Sequence, residues 1–314
     1  MKNFESLDQR VIRTTCDWSC SGQELASYLA SRFTYRSCQE WIERITNGEI
    51  TLNGKIVSPQ YRLQLHDQIE YRPADITEPA ADLNYSIVYE DENYLVVNKP
   101  GNLCMHPAGP FFKHTLWHLL TTKYGKIHFV NRLDRETSGI LLATKNSKAA
   151  AFLSKAGNIT CKEYEALVFG DFKEEITATG YLVSDKSSLI LKKRKFVKDL
   201  SEEDVKVETA TTILKPIKSN GNFSLVNATP VTGRMHQIRI TLYSLGFPMV
   251  GDKLYGPNEI LFLKQRTNKI SEEEQASLIM NRQALHSSKI TYIDPVDRQE
   301  KTFYCPSNFT LPEK

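Results

Sequence analysis

One carboxylate, Asp134, stands where a charged stretch runs into an apolar one, in the segment VNRLDRETSGILLATK at residues 130–145. Asn131, Arg132, Asp134, Arg135 and Glu136 form a polar cluster. Thr137-Ser138-Gly139 has turn chemistry, and Ile140-Leu141-Leu142-Ala143 reads as a buried strand. A carboxylate at the mouth of a rigid strand suits nucleophilic work, because the sheet beneath fixes its position. Taken alone, the same stretch also fits an ordinary salt-bridged turn aspartate. Other residues able to do chemistry are scattered along the chain. In CKEYEALVFG (161–170) strand alternation puts Lys162, Tyr164 and Ala166 on one face, and in TGRMHQIRI (232–240) Arg234, His236, Ile238 and Ile240 share one side of a strand or helix start. His106 lies in a Pro-flanked loop, CMHPAGP. His114 and His118 are four apart, but no carboxylate follows in the zincin pattern, and Leu116, Trp117, Leu119 and Leu120 favour a packed helix over a metal site.

The elements that must position these residues span more than one domain, since 314 residues exceed the usual size of one. Near the start, QELASYLASR (23–32) has helical apolar spacing, and SCQEWIERITNG (37–48) opens with a Ser cap and closes on Gly48. EITLNGKIV (49–57) alternates around the hairpin signal Asn53-Gly54, and residues 61–71 offer a further strand. PADITEPAA reads as a linker, giving domains at 1–72 and 84–314 joined by 73–83. Beyond it we expect two strands around a turn at 90–93, the carboxylate hairpin, a short helix over 146–158, the tyrosine strand, and a closing hairpin around Asp294-Pro295. Residues 186–198 hold six basic side chains and no acid, either a solvated face or a set of phosphate contacts. The net charge of +3 is too small for a global field, so a polyanion would be bound by local patches. Six cysteines without a Cys-x-x-Cys pair suggest reduced thiols. Charges throughout the first 25 residues speak against an apolar signal, and no uncharged run is long enough to span a bilayer, so a cytoplasmic, membrane-free protein is expected.

NRLDRETSGILLATK resembles the catalytic motif of the RluA family of RNA pseudouridine synthases, His-Arg-Leu-Asp, two variable residues, Thr-Ser-Gly, with Asn131 in place of the His. NYLVVNKPGNLCMHP (93–107), CKEYEALVFG and TPVTGRMHQIRITLYSLGFPMVGDKLYG (229–256) are similar to that family's other motifs and occur in its order. The resemblance implies an α+β fold, a mixed and mainly antiparallel central sheet with flanking helices. It implies isomerisation of uridine to pseudouridine with no cofactor, nucleotide or metal. Asp134 would attack the sugar or the base, or remove a sugar proton, and Tyr164 would stack on the uracil or take the proton from carbon five. Arg239 would reach the carboxylate and keep it ionised, and Ile238 would floor the cleft. Arg132 would fill the space of the flipped uridine or else pair with Glu136. Arg234 and His236 would shape the cleft or hold phosphate, and Lys162 and His106 would contact RNA. The first domain resembles the alpha-L RNA-binding module first described in a ribosomal protein, with Arg32, Arg36, Arg44, Lys55 and Arg62 as phosphate contacts or solvated charges. Its first helix, however, opens on Ser21-Gly22-Gln23 rather than a basic residue. The expected partner of this monomer is RNA, ribosomal in preference to transfer RNA. A non-catalytic RNA-binding protein on the same fold, and a nucleoside hydrolase using the aspartate, are the alternatives.

Overall fold

The computed structural model of the chain describes residues 10–34, 36–73, 77–265 and 269–313. It divides into two compact units, Met1–Pro79 and Ala80–Lys314.

In the first unit, β1 (Ile12–Thr15), α1 (Leu25–Arg32), α2 (Cys38–Thr46), β2 (Ile50–Leu52) and β3 (Gln68–Tyr71) follow one another, and the strands form an antiparallel sheet in the order β1-β3-β2. Ser37 and Glu40 complete a reciprocal cap at the start of α2. Leu25, Leu29, Trp41, Ile45, Ile50 and Ile69 close the core. The hairpin expected at Asn53-Gly54 is only a turn. Both residues have positive φ, yet Leu52 meets Lys55 in a single bridge and β2 pairs with β3 instead. The reason is local: the Asn53 side chain donates to buried Asp67 (2.7 Å) and accepts from the Gln68 amide (2.9 Å), which draws β3 rather than residues 55–57 against β2. The third strand begins at 68 and not at 61, because the backbone of Tyr61 and Leu63 bonds to Leu25, Gln23 and Gly22. Strand β1 was not foreseen.

The second unit runs β4 (Ser86–Glu90), β5 (Tyr94–Lys99), α3 (Leu116–Tyr124), β6 (His128–Phe129), β7 (Ser138–Thr144), α4 (Ser147–Leu153), β8 (Ile159–Phe169), β9 (Ile176–Ser184), β10 (Arg194–Val197), β11 (Glu208–Ser219), β12 (Phe223–Pro230), α5 (Gln237–Ser244), α6 (Ile260–Gln265), α7 (Glu272–Ser277), β13 (Leu285–Ile293) and β14 (Glu300–Tyr304). Its sheet follows the path β10-β9-β11-β12-β8-β13-β7-β5-β4, with β14 on β13 and β6 on β7, and every pairing is antiparallel except β13 with β7. This is the mixed, mainly antiparallel sheet with flanking helices that the family resemblance implied. Strand β7 is buried along its whole length because Leu141 and Ala143 enter one core and Ile140 and Leu142 another on the opposite face. Each buried leucine contributes roughly 1.5–3 kcal/mol.

Thr137-Ser138-Gly139 is not a turn. Ser138 already opens β7, and the turn lies one step earlier, where the Thr137 amide donates to the Asp134 carbonyl. Gly139, at φ +107, pairs so closely with Ser287 that a Cβ would stand 2.2 Å from its carbonyl oxygen. The basic run at 186–198 is also not one charged face. Lys193 is buried against Glu259, and Arg194 is buried against Glu208 and the carbonyls of Leu182 and Lys206.

Candidate active site

Asp134 projects from the loop between β6 and β7, which is pinned from both sides. On one side the Arg135 carbonyl accepts from the Leu103 amide and from buried Lys99, whose Nζ also donates to the Pro100 and Leu103 carbonyls at 2.8–3.1 Å. On the other, the Glu136 carboxylate accepts from Lys253 and from the Gln283 amide. At the loop's start Asn131 Oδ1 accepts from the Leu142 amide at 2.9 Å, which fixes the loop to β7. Three donated bonds suit an ammonium on Lys99, while burial, aided by Arg282, pushes its pKa down to about 7.

Two of Asp134's neighbours come from α5 and the residue that caps it. Arg239 Nη1 donates to Asp134 Oδ2 at 2.8 Å, Gln283 Nε2 donates to the same oxygen at 3.3 Å, and His236 Nε2 lies 3.8 Å from Oδ1. Arg239 also donates through Nε and Nη2 to both oxygens of fully buried Asp252, at 2.6 and 2.9 Å. Asp252 in turn accepts from the amides of Leu254 and Tyr255. The guanidinium is therefore locked between two carboxylates. Burial pushes the Asp134 carboxyl up, but the Arg239 charge, then His236, and the hydrogen bonds from Arg239 and Gln283 outweigh it and hold its pKa below the usual value. Asp252 is likewise held down, Arg239 overcoming its burial. Burial followed by the Arg239 charge lowers His236, which favours the neutral imidazole.

The Asp134 side chain is one-third exposed, and it opens into a cavity of about 380 Å³. Tyr164 from β8 and Ile238 from α5 supply apolar walls, and Lys162, Arg132 and Arg234 supply cations. Burial raises the Tyr164 phenol to about 12, partly opposed by its bond to Ser287, with Asp134 adding to the rise. Lys162 is pushed down by burial. Among the described residues it has no ion pair. Of the residues singled out in the sequence, Asp134, Tyr164, Arg239, Arg132, Ile238, Arg234, His236 and Lys162 thus border one cavity. His106 does not; it lies exposed in the adjoining cleft, edge-on to Phe129 at 5.0 Å.

Three details differ from expectation. Glu136 pairs with Arg135 and Lys253, not with Arg132, which is exposed. Residues 234, 236, 238 and 240 do not share a side, because the helix starts at Gln237 and each later residue turns by about 100°. Ile240 therefore enters a separate core with Leu182 and Tyr255. His236, at φ +57, caps that helix without a side-chain bond. Asp252, Gln283 and Lys99 were missed. A lone acid in the apolar run before LYG was a signal for Asp252, whereas nothing local marks Gln283.

Residues 93–244 match the family model described as RNA pseudouridylate synthase. The chain is 30% identical to the dual-specificity RNA pseudouridine synthase RluA of Vibrio parahaemolyticus, over 77% of this chain and 88% of that protein. It is 29% identical to the mitochondrial tRNA pseudouridine(32) synthase of Saccharomyces cerevisiae over 80% of this chain, and spans only about half (54%) of that relative. Among solved structures it resembles human RNA pseudouridylate synthase domain containing 1, with a TM-score of 0.56 at 24% identity, covering 74% of this chain and 88% of that one, a likeness of fold. The sheet has the pseudouridine synthase fold. More particularly, the chain belongs to the RluA-type family of RNA pseudouridine synthases.

Proposed function

We propose that this protein converts specific uridines of a structured RNA to pseudouridine, with Asp134 as the carboxylate that acts on the target nucleoside. The observation that carries the reading is the division of labour on that side chain. Among the described residues Oδ2 accepts from Arg239 and Gln283, while Oδ1 accepts no hydrogen bond and has His236 at 3.8 Å, and the side chain lines the cavity. An ionised oxygen held in that direction is prepared to act on the nucleoside without reorganising. The bond from ribose carbon one to N1 breaks, the uracil turns, and carbon one joins carbon five. Carbon five then loses its hydrogen as a proton and N1 gains one, so the reaction is balanced without a co-reactant.

Reaching the cavity requires the uridine to leave its stack, at roughly a few kcal/mol. Arg132, exposed at the mouth, is placed to fill the vacated space, since a guanidinium both stacks and donates. Burial pushes the Tyr164 phenol up to about 12, so it is protonated at pH 7. That supports a ring packed on the uracil over a general base. Ile238 forms the facing wall, and Lys162, Arg234 and His236 border the sugar and phosphate. The first unit, with two helices on a small sheet, supports an alpha-L-type RNA-binding module spanning 1–72, with 84–314 catalytic. We favour ribosomal RNA, with transfer RNA second, and a monomer. No helix among the described residues is long and apolar enough to cross a membrane.

The test is tritium release from carbon five of uridine in total RNA, comparing the native protein with Asp134→Asn. Release by the native protein alone is expected. No release from either, with RNA still bound, would mean a binding protein that keeps the fold.

A further inference from the structure

Beside the catalytic cavity lies a second, larger cleft of about 760 Å³, and the two share the wall built from Arg132, Asp134 and Arg234. We propose that this cleft is a nucleotide subsite that takes an unpaired base adjoining the target uridine against Met235 and Phe262. The inference rests on the RNA reading above.

Strand continuity makes the first argument. A uridine turned into the cavity stays bonded to both neighbours, and a strand that leaves over the shared wall of Arg132, Asp134 and Arg234 passes directly into the second cleft. The second argument is the chemistry of the lining. Met235 borders the second cleft and not the first and is 64% exposed, although the turn that carries it is tied down by hydrogen bonds. Buried Gln237 fixes that turn: its Oε1 accepts from the Thr232 hydroxyl at 2.7 Å and the Arg234 amide at 3.0 Å, and its Nε2 donates to the Thr211 carbonyl and the Thr212 hydroxyl. Arg234 Nε is tied to the Thr209 carbonyl. A polarizable thioether is thus held in solvent on a fixed support, where it gains only when a flat apolar group covers it. Phe262 of α6, half-buried, offers the ring on which an unstacked base packs. The third argument is charge. Glu136, the acid in this cleft besides Asp134, is neutralised by Arg135 and Lys253, which leaves Arg132 and Arg234 as cations on the dividing wall for the connecting phosphate.

The experiment uses the full chain and a short RNA that releases tritium with it. Versions of this RNA lack the base immediately 5′ or immediately 3′ of the target. Native protein is expected to lose about tenfold in kcat/KM when the base on one side is removed. Met235→Ala is expected to lose a similar factor on the intact RNA and to show no further loss on that abasic RNA, while Met235→Phe restores the difference. The proposal is overturned if neither abasic RNA is impaired, or if the abasic penalty is the same in Met235→Ala as in the native protein. Failure of the underlying reading is separate, because native protein would then release no tritium from any RNA.

Discussion

Asp252→Asn isolates the charge behind the active-site arginine. The change keeps the shape and one oxygen, so the amides of Leu254 and Tyr255 can still be capped, but it removes the negative charge on which Arg239 rests. Arg239 is 7% exposed and would be left with Asp134, itself one-third open to the cavity. Removing one partner of a buried pair costs about 3–5 kcal/mol. At about 2–4 °C per kcal/mol for a unit of this size, the melting temperature should fall by roughly 6–20 °C in near-ultraviolet circular dichroism. The linkage has a definite sign. The Asp252 pKa is depressed in the fold, so its contribution is present above the carboxylate's unfolded value and is lost as the pH falls through the lower folded value. Native protein should therefore lose stability on acidification below the ordinary carboxylate range, and this component should be missing from the variant. A double variant, Asp252→Asn with Arg239→Met, removes both charges while keeping the acceptor for the Leu254 and Tyr255 amides, and should recover most of the stability while remaining inactive. A fall of less than about 2 °C in Asp252→Asn, or a double variant no more stable than the single, would refute the account of Arg239 as a buried charge held by two carboxylates.

Gly139→Ala should cost about 3 kcal/mol or more in chemical denaturation, because φ is +107 and the new Cβ would strike the Ser287 carbonyl and part β7 from β13. Asn131→Leu should cost about 1–3 kcal/mol by leaving the Leu142 amide without its acceptor, whereas Asn131→His, which can present a ring nitrogen there, should stay within a few-fold of native tritium release. Lys99 carries a depressed pKa, from 10.5 to about 7, so between those values the unfolded chain binds the extra proton and stability rises with pH. Relative to Lys99→Met, native protein should gain up to about 1.4 kcal/mol per pH unit in that window, measured by urea denaturation at stepped pH.

Much of the site was legible in order along the chain. The apolar run after Asp134 announces a buried strand, the alternation in 161–170 fixes which face Tyr164 and Lys162 share, and Ser37 and Asn146 each mark a helix start that the structure contains. These signals are local, set by backbone preference and by burial of every second or every third and fourth side chain. What they do not encode is which strand lies beside which. Strand β13, which reads as part of a closing hairpin, inserts between β8 and β7, and that insertion brings Gln283 to Asp134 across 149 residues. The path of the chain after β12 likewise decides that Arg239 faces Asp134 while Ile240, one residue on, faces a different core. The basic run at 186–198 was misread for the same reason, since only the fold places Glu259 and Glu208 against Lys193 and Arg194. By itself, then, the sequence determined most of the elements, singled out Asp134 as the candidate carboxylate and indicated the kind of groups around it. The tertiary structure alone decided which oxygen of Asp134 accepts hydrogen bonds, because that depends on side chains from distant parts of the chain arriving at one point, and long-range packing has no period that a sequence can display.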